Sequence, residues 1–162
     1  MSSFDRRTLL LLCAGLAGCG FTPALTRDGS SDGLRGRIAY DPPSDREGFF
    51  LIRALERRLG RPSVPQFQLS ATVFVEEEEA GITPEQVITR FRLIGTAEYA
   101  LRDVLSDQIV ASGDVSNFAG YSATANTVAV RTAAEDARQR LMTILADQIS
   151  NELLATSPDW LT

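Results

Sequence analysis

Gln66–Glu76 (QFQLSATVFVE) and Thr89–Leu101 (TRFRLIGTAEYAL) are two stretches in which apolar and polar residues alternate. Successive side chains of a strand point to opposite faces of the sheet, so a period of two predicts strands with one covered face. A third stretch, up to about Phe118, follows a turn at Ser106-Asp107, and three such strands with short connections predict an antiparallel meander. The inner residues are predicted to be Phe67, Leu69, Ala71, Val73 and Val75, then Thr89, Phe91, Leu93, Gly95, Ala97, Tyr99 and Leu101, then Ile109, Ala111, Gly113 and Val115.

A helix is predicted before the meander. Ser44-x-x-Glu47 has the spacing of a capping box, in which each side chain bonds a free backbone N–H at the helix start. Gly60 and Pro62 are typical of a helix end. The apolar stripe between them consists of Leu51, Ile52, Leu55 and Leu59.

A second helix is predicted after the meander. Thr132-x-x-Glu135 is another capping-box pattern, but no helix breaker separates Asn126 from Thr132, so the start stays open between these two residues. Ser157-Pro158 is expected to stop the helix. Its predicted apolar stripe is Ala134, Ala137, Leu141, Ile144, Leu145, Ile149 and Leu153.

A short strand is predicted at Arg37–Tyr40, ahead of the first helix. The order strand, helix, three strands, helix predicts an α+β fold. We expect two helices packed on one face of a mostly antiparallel four-stranded sheet, a two-layer sandwich. Residues 37–162 would form this single domain.

The first 18 residues have the layout of a secretory signal. Arg6 and Arg7 precede the apolar run Leu9–Ala17 (LLLLCAGLA), which is too short to span a bilayer as a permanent helix. Leu16-Ala17-Gly18-Cys19 then matches the bacterial lipobox, with small residues before the cysteine that carries the thioether-linked lipid. We therefore expect residues 1–18 to be a lipoprotein signal peptide and Cys19 to be acylated, which anchors the protein in a membrane.

Residues 19–36 are predicted to form the lipidated N-terminus and a flexible tether, because they are rich in Gly, Ser, Asp and Thr. Gly20 follows the acylated cysteine. In lipoproteins of this kind Asp at that position typically retains the protein in the inner membrane, so Gly favours the outer membrane.

The composition excludes several chemistries. The 162 residues contain no His and no Lys, and all 16 basic residues are Arg. Ser-His-Asp and Cys-His catalysis, His-based metal sites and Schiff-base lysines are therefore ruled out. The net charge of −5 argues against nucleic-acid binding. We expect no enzyme activity, no catalytic residue, no metal and no cofactor.

Three features remain as candidate sites. Glu76–Glu79 is a run of four glutamates, interpreted as a solvated hairpin tip rather than a calcium site, because no EF-hand-like loop is present. Arg90 and Arg92 are predicted to point the same way on an outer strand face, where arginine can bind phosphate, or where Glu98 would simply balance their charge. Trp160 is either an interface anchor or a cap on the core.

The segment Cys19–Leu25 (CGFTPAL) resembles the start of mature lipoproteins of the LptE family, which act in lipopolysaccharide (LPS) assembly. The order of predicted elements is similar as well, including a C-terminal helix with Ala133–Arg138 (AAEDAR). The resemblance implies an outer-membrane lipoprotein that plugs the LptD β-barrel, assists the folding of this barrel and contacts LPS. Arg90 and Arg92 are our candidates for that contact.

Two other classes of protein are considered. An auxiliary lipoprotein of an envelope lipid ABC transporter also carries a lipobox and a mixed domain, but the Pro-x-Arg-Tyr-Tyr-x-Leu-like segment common in such proteins is missing between Thr22 and Arg37. A lipid-anchored hydrolase using a carboxylate pair is disfavoured, because no paired acids lie at loop positions with apolar surroundings.

Overall fold

The computed structural model describes residues 33–82, 88–124 and 126–161. It contains four strands and two helices, as predicted. These are β1 (Ile38–Tyr40), α1 (Arg46–Leu59), β2 (Phe67–Ile82), β3 (Ile88–Asp103), β4 (Ile109–Ser122) and α2 (Thr127–Trp160). The predicted signal peptide, Cys19 and most of the predicted tether lie outside the described residues.

The sheet has the order β1-β2-β3-β4. β1 runs parallel to β2, whereas β2, β3 and β4 form the predicted antiparallel meander. The helices pack on one face of the sheet, and buried residues therefore alternate with less buried ones along β3 from Leu93 to Leu101. We call this covered side the inner face and the other side the outer face. The α+β prediction is confirmed.

The core lies between the inner face and the two helices. Its largest fully buried side chains come from both layers, with Leu51 and Leu55 on α1, Leu141 and Leu145 on α2, and Leu93 and Leu101 on β3. α2 approaches β3 closely at Gly95, where a Cβ atom would lie 2.9 Å from Leu141 Cδ2. Such a position has room for glycine alone unless the leucine moves.

Both helix starts differ from the predicted capping boxes. Asp45, not Ser44, caps α1, since its backbone is extended and its carboxylate accepts the Gly48 N–H at 2.7 Å. Asn126 caps α2 by accepting the Ala129 N–H at 2.9 Å. Thr132 lies within the helix and donates to the Val128 carbonyl. The lack of a helix breaker after Asn126 thus predicted the start of α2 better than the Thr132-x-x-Glu135 pattern did.

Pro158 does not stop α2, which continues to Trp160. Proline cannot donate to the Leu154 carbonyl four residues earlier. The Ser157 hydroxyl donates to that carbonyl instead, at 2.9 Å, and the Leu161 N–H bonds the Ser157 carbonyl. Because the bond lost at Pro158 is replaced locally, the last turn is retained.

Two predicted core positions are wrong. Ile109 is 54% exposed, because a register shift between Leu101 and Arg102 turns it to the outer face and lets Val110 pack on the core instead. Ile144 is 37% exposed, and Met142 is the fully buried neighbour. At Ile109 a β-bulge changes which residues face inward. At Ile144 the buried side of α2 is shifted toward Met142.

The packed part of the chain begins before Arg37. Leu34, assigned above to the tether, is fully buried in the core. Gly33 lies against the side chain of Leu161, and Phe67 makes an edge-to-face contact with Trp160 at 5.2 Å between ring centroids. Within the described residues, the chain therefore enters and leaves the domain at the same end of the sheet, where Phe67 pairs with Asp103. Trp160 caps the core at this end.

Candidate functional site

No helix of the described chain covers the outer face of the sheet. Its side chains could therefore form a binding surface. Phe74 and Phe118 lie on this face and are 56% and 62% exposed. These two exposed aromatic side chains make the outer face a candidate contact surface.

Arg90 and Arg92 lie on the outer face as predicted, near the start of β3 and far from the chain entrance. Arg90 is paired across the sheet with Gly81 and Ser122, and Arg92 with Glu78 and Gly120. Because Gly120 has no side chain, the surface beside Arg92 is open. A groove of about 370 Å³ occupies this place and is lined by Ala80, Arg90, Phe91, Arg92, Phe118, Gly120 and Tyr121.

The two guanidinium groups differ in their partners. Arg92 forms an ion pair with Glu78 at 2.8 Å, whereas Arg90 has no ion pair among the described residues. The expected balance by Glu98 is wrong, because the register of β2 against β3 brings Glu78 opposite Arg92. The side chains of Arg92 and Glu78 are both about half exposed, so the pair is in solvent and weak.

The glutamate run does not form a hairpin tip. Glu76–Glu79 lies inside β2, and strand pairing continues to Ile82 opposite Ile88. The alternation of the strand sends Glu78 to the outer face and Glu77 to the inner face. There Glu77 bonds Arg138 of α2 at 3.2 Å.

The inner face near the arginine end is also polar. Phe91 stacks on Tyr121 with 5.3 Å between ring centroids, and Arg138 lies 3.8 Å from Glu47 as well as 3.2 Å from Glu77. Partial burial, and then the charge of Glu77, raises the pKa of the Tyr121 hydroxyl above its usual value.

Within residues 33–82, 88–124 and 126–161, no group of three His, Cys, Asp or Glu side chains could hold a metal ion. No helix in these ranges is both long and apolar enough to cross a membrane.

Solved structures with the same fold come from bacterial lipoproteins. A candidate lipoprotein of Caulobacter crescentus is 22% identical, with a TM-score of 0.66 over 80% of this chain and 96% of that one. Lipoprotein B of Nitrosomonas europaea is 15% identical, with a TM-score of 0.60 over 86% and 93%. Rare lipoprotein B of Shewanella oneidensis is 13% identical, with a TM-score of 0.57 over 75% and 95%. No curated protein matches the sequence.

The two-layer sandwich is thus a fold that these bacterial lipoproteins share. Residues 37–153 match the family LptE, described as lipopolysaccharide-assembly. The chain belongs to this family of non-enzymatic LPS-assembly lipoproteins.

Proposed function

We propose that the protein is an outer-membrane lipoprotein, anchored through acyl chains on Cys19, that plugs the LptD β-barrel and assists its folding. In this role it contacts LPS through Arg90 and Arg92 during insertion into the outer leaflet. Membership of the LptE family supports the general role. The proposed LPS contact rests on one observation, the arginine pair beside an open groove.

The chemistry of the groove fits LPS. The lipid A part of LPS presents phosphates next to acyl chains, so a contact surface needs cations beside apolar groups. Arg90 and Arg92 supply guanidinium groups, which can hold phosphate bidentately. Phe118 lies on the same outer face and supplies an exposed aromatic ring to this groove. Because the chain has no lysine, arginine is its only cationic side chain at neutral pH.

Replacing Arg90 and Arg92 together by Gln is expected to weaken LPS binding by at least about tenfold, because charge-assisted hydrogen bonds to phosphate would be lost. Thermal unfolding should change little, since the Arg92–Glu78 ion pair is exposed and contributes at most about 1 kcal/mol. Co-purification with the barrel should be retained. Binding is measured with purified LPS in moderate salt.

The control is the double change of Arg53 and Arg57 to Gln on the exposed side of α1, which removes the same charge. LPS binding that stays unchanged in the Arg90/Arg92 variant, or that falls equally in the control, contradicts the assignment. A large loss of thermal stability would instead make the two arginines structural.

Replacing Cys19 by Ala is expected to abolish membrane anchoring while the domain still folds, because Cys19 lies well before Leu34, the first core residue in the part of the chain that the structure describes. Membrane fractionation in cells with and without the barrel is the measurement. If the Cys19→Ala protein remains in the membrane fraction without the barrel, the lipobox assignment is wrong.

A further inference from the structure

The two edges of the sheet differ in how their backbone groups are satisfied. On β4, the Phe118 N–H donates to the Asn117 side-chain oxygen at 2.8 Å, and the Gly120 carbonyl accepts from the Arg140 guanidinium at 3.1 Å. Native sheets commonly protect their edges against further strands. Side chains thus occupy this part of the β4 edge.

The edge formed by β2 is different. β1 covers only Phe67–Leu69 of this 16-residue strand. The Leu69 carbonyl accepts the Asp41 N–H at 2.9 Å, and alternate residues of a strand direct their backbone groups to the same side. The N–H and C=O groups of Ala71, Val73, Val75 and Glu77 therefore point to this edge. In the described parts of the chain, no strand pairs with them and no side chain bonds them.

A groove of about 530 Å³ runs along this free edge. Asp45 and Glu47, at the start of α1, line it together with Arg138 of α2 and residues of β2. The groove is acidic, because its lining includes four carboxylates and one guanidinium, a formal charge of −3, from Asp45, Glu47, Glu76, Glu77 and Arg138. The glutamate run thus lies along an open strand edge in an acidic groove.

We propose that this edge binds an extended, basic segment of another protein as an added β-strand. The segment would pair its backbone with Ala71–Glu77 and direct arginine or lysine side chains to the carboxylates of the groove. Main-chain pairing is how exposed edges recognise extended peptides.

Charge selects this occupant over a second copy of the chain. Two β2 edges in contact would bring glutamates against glutamates, and like charges across paired strands are destabilising. The proposal is separate from the LPS contact, because Arg90 and Arg92 lie on the outer face of β3 rather than at the β2 edge. It also holds whether or not the barrel is the partner.

The first test uses the full-length chain in detergent and a synthetic eight-residue peptide of alternating arginine and valine with blocked ends. The control peptide has the same sequence with N-methyl groups on its four central residues, which keeps the charge but removes the central N–H donors. We expect at least about tenfold weaker binding of the methylated peptide, since two of the four methylated N–H groups would face β2 and can no longer donate to it. Equal affinity of the two peptides would overturn the proposal.

Hydrogen exchange of the complex gives a second readout that needs no variant. Amides of Ala71, Val73 and Val75 should become protected when the unmethylated peptide binds. Those of Thr72 and Phe74 point toward β3 and should not change. Binding without this alternation would mean adsorption to the acidic surface rather than strand addition, and would also overturn the proposal.

The charge argument is tested by Glu76→Gln, which should weaken peptide binding by about threefold, in the range of an exposed ion pair. Glu98→Gln is the matched control, because Glu98 is exposed on the outer face of β3 away from the edge. An equal effect of both changes would remove the reason for a basic occupant at this edge.

Discussion

Replacing Leu141 by Ala is expected to lower the free energy of unfolding by about 2–5 kcal/mol, the range for truncating a fully buried leucine. Leu141 is fully buried on α2 and lies against β3 at Gly95. The loss combines the transfer free energy of the removed atoms with the cost of the cavity. Leu145, also fully buried, should behave similarly. Urea unfolding followed by circular dichroism gives the value.

Ile144 on the same helix provides the control, because it is 37% exposed and truncation there removes less buried surface. We expect Ile144→Ala to cost clearly less than Leu141→Ala. If Leu141→Ala and Leu145→Ala each cost less than about 0.5 kcal/mol, typical of surface positions, the packed face of α2 would be misassigned.

Replacing Gly95 by Val is expected to destabilise the protein by about 1–3 kcal/mol, the usual cost of overpacking a core. A Cβ at this position would lie 2.9 Å from Leu141 Cδ2 and 3.2 Å from Leu145 Cδ1. Both leucines are fully buried, so neither side chain can move into solvent. Thermal and urea unfolding measure the effect.

Gly120→Val is the matched control, since Gly120 is exposed and a Cβ there would meet only the Phe91 carbonyl at 3.4 Å. The double variant Gly95→Ala with Leu141→Ala tests whether the destabilisation comes from direct contact between these two positions. The added methyl would enter the space that the truncated leucine leaves. The stability loss of the double variant should therefore be smaller than the sum of the losses of the two single variants. Simple additivity would argue against direct contact between the two positions.

The strand pattern was predictable because alternation is a local property. From Leu93 to Leu101 every predicted inner residue is buried. The prediction that Ile109 faces the core was wrong, because the bulge beside Ile109 depends on the register of β4 against β3. Asp45 and Ser44 are both good N-cap residues, and the sequence alone does not separate two such neighbours.

The site was only partly predictable for a related reason. The shared direction of Arg90 and Arg92 follows from their spacing. The Arg92–Glu78 pair depends on the register of β2 against β3, which is a tertiary property. The free edge of β2 was missed, because it depends on how little of β2 the short strand β1 covers. The sequence held one signal for this free edge: the predicted strand Arg37–Tyr40 is too short to cover the whole of β2.

The length of β3 sets a distance scale for the proposed role. From Arg90 to Asp103 the strand extends for about 40 Å at the usual rise per residue, and the chain enters the domain at the Asp103 end. A bilayer has a hydrocarbon thickness of about 30 Å. The rigid sheet therefore separates the arginine pair from the end where Gly33 and Leu161 meet by more than the hydrocarbon thickness of a bilayer.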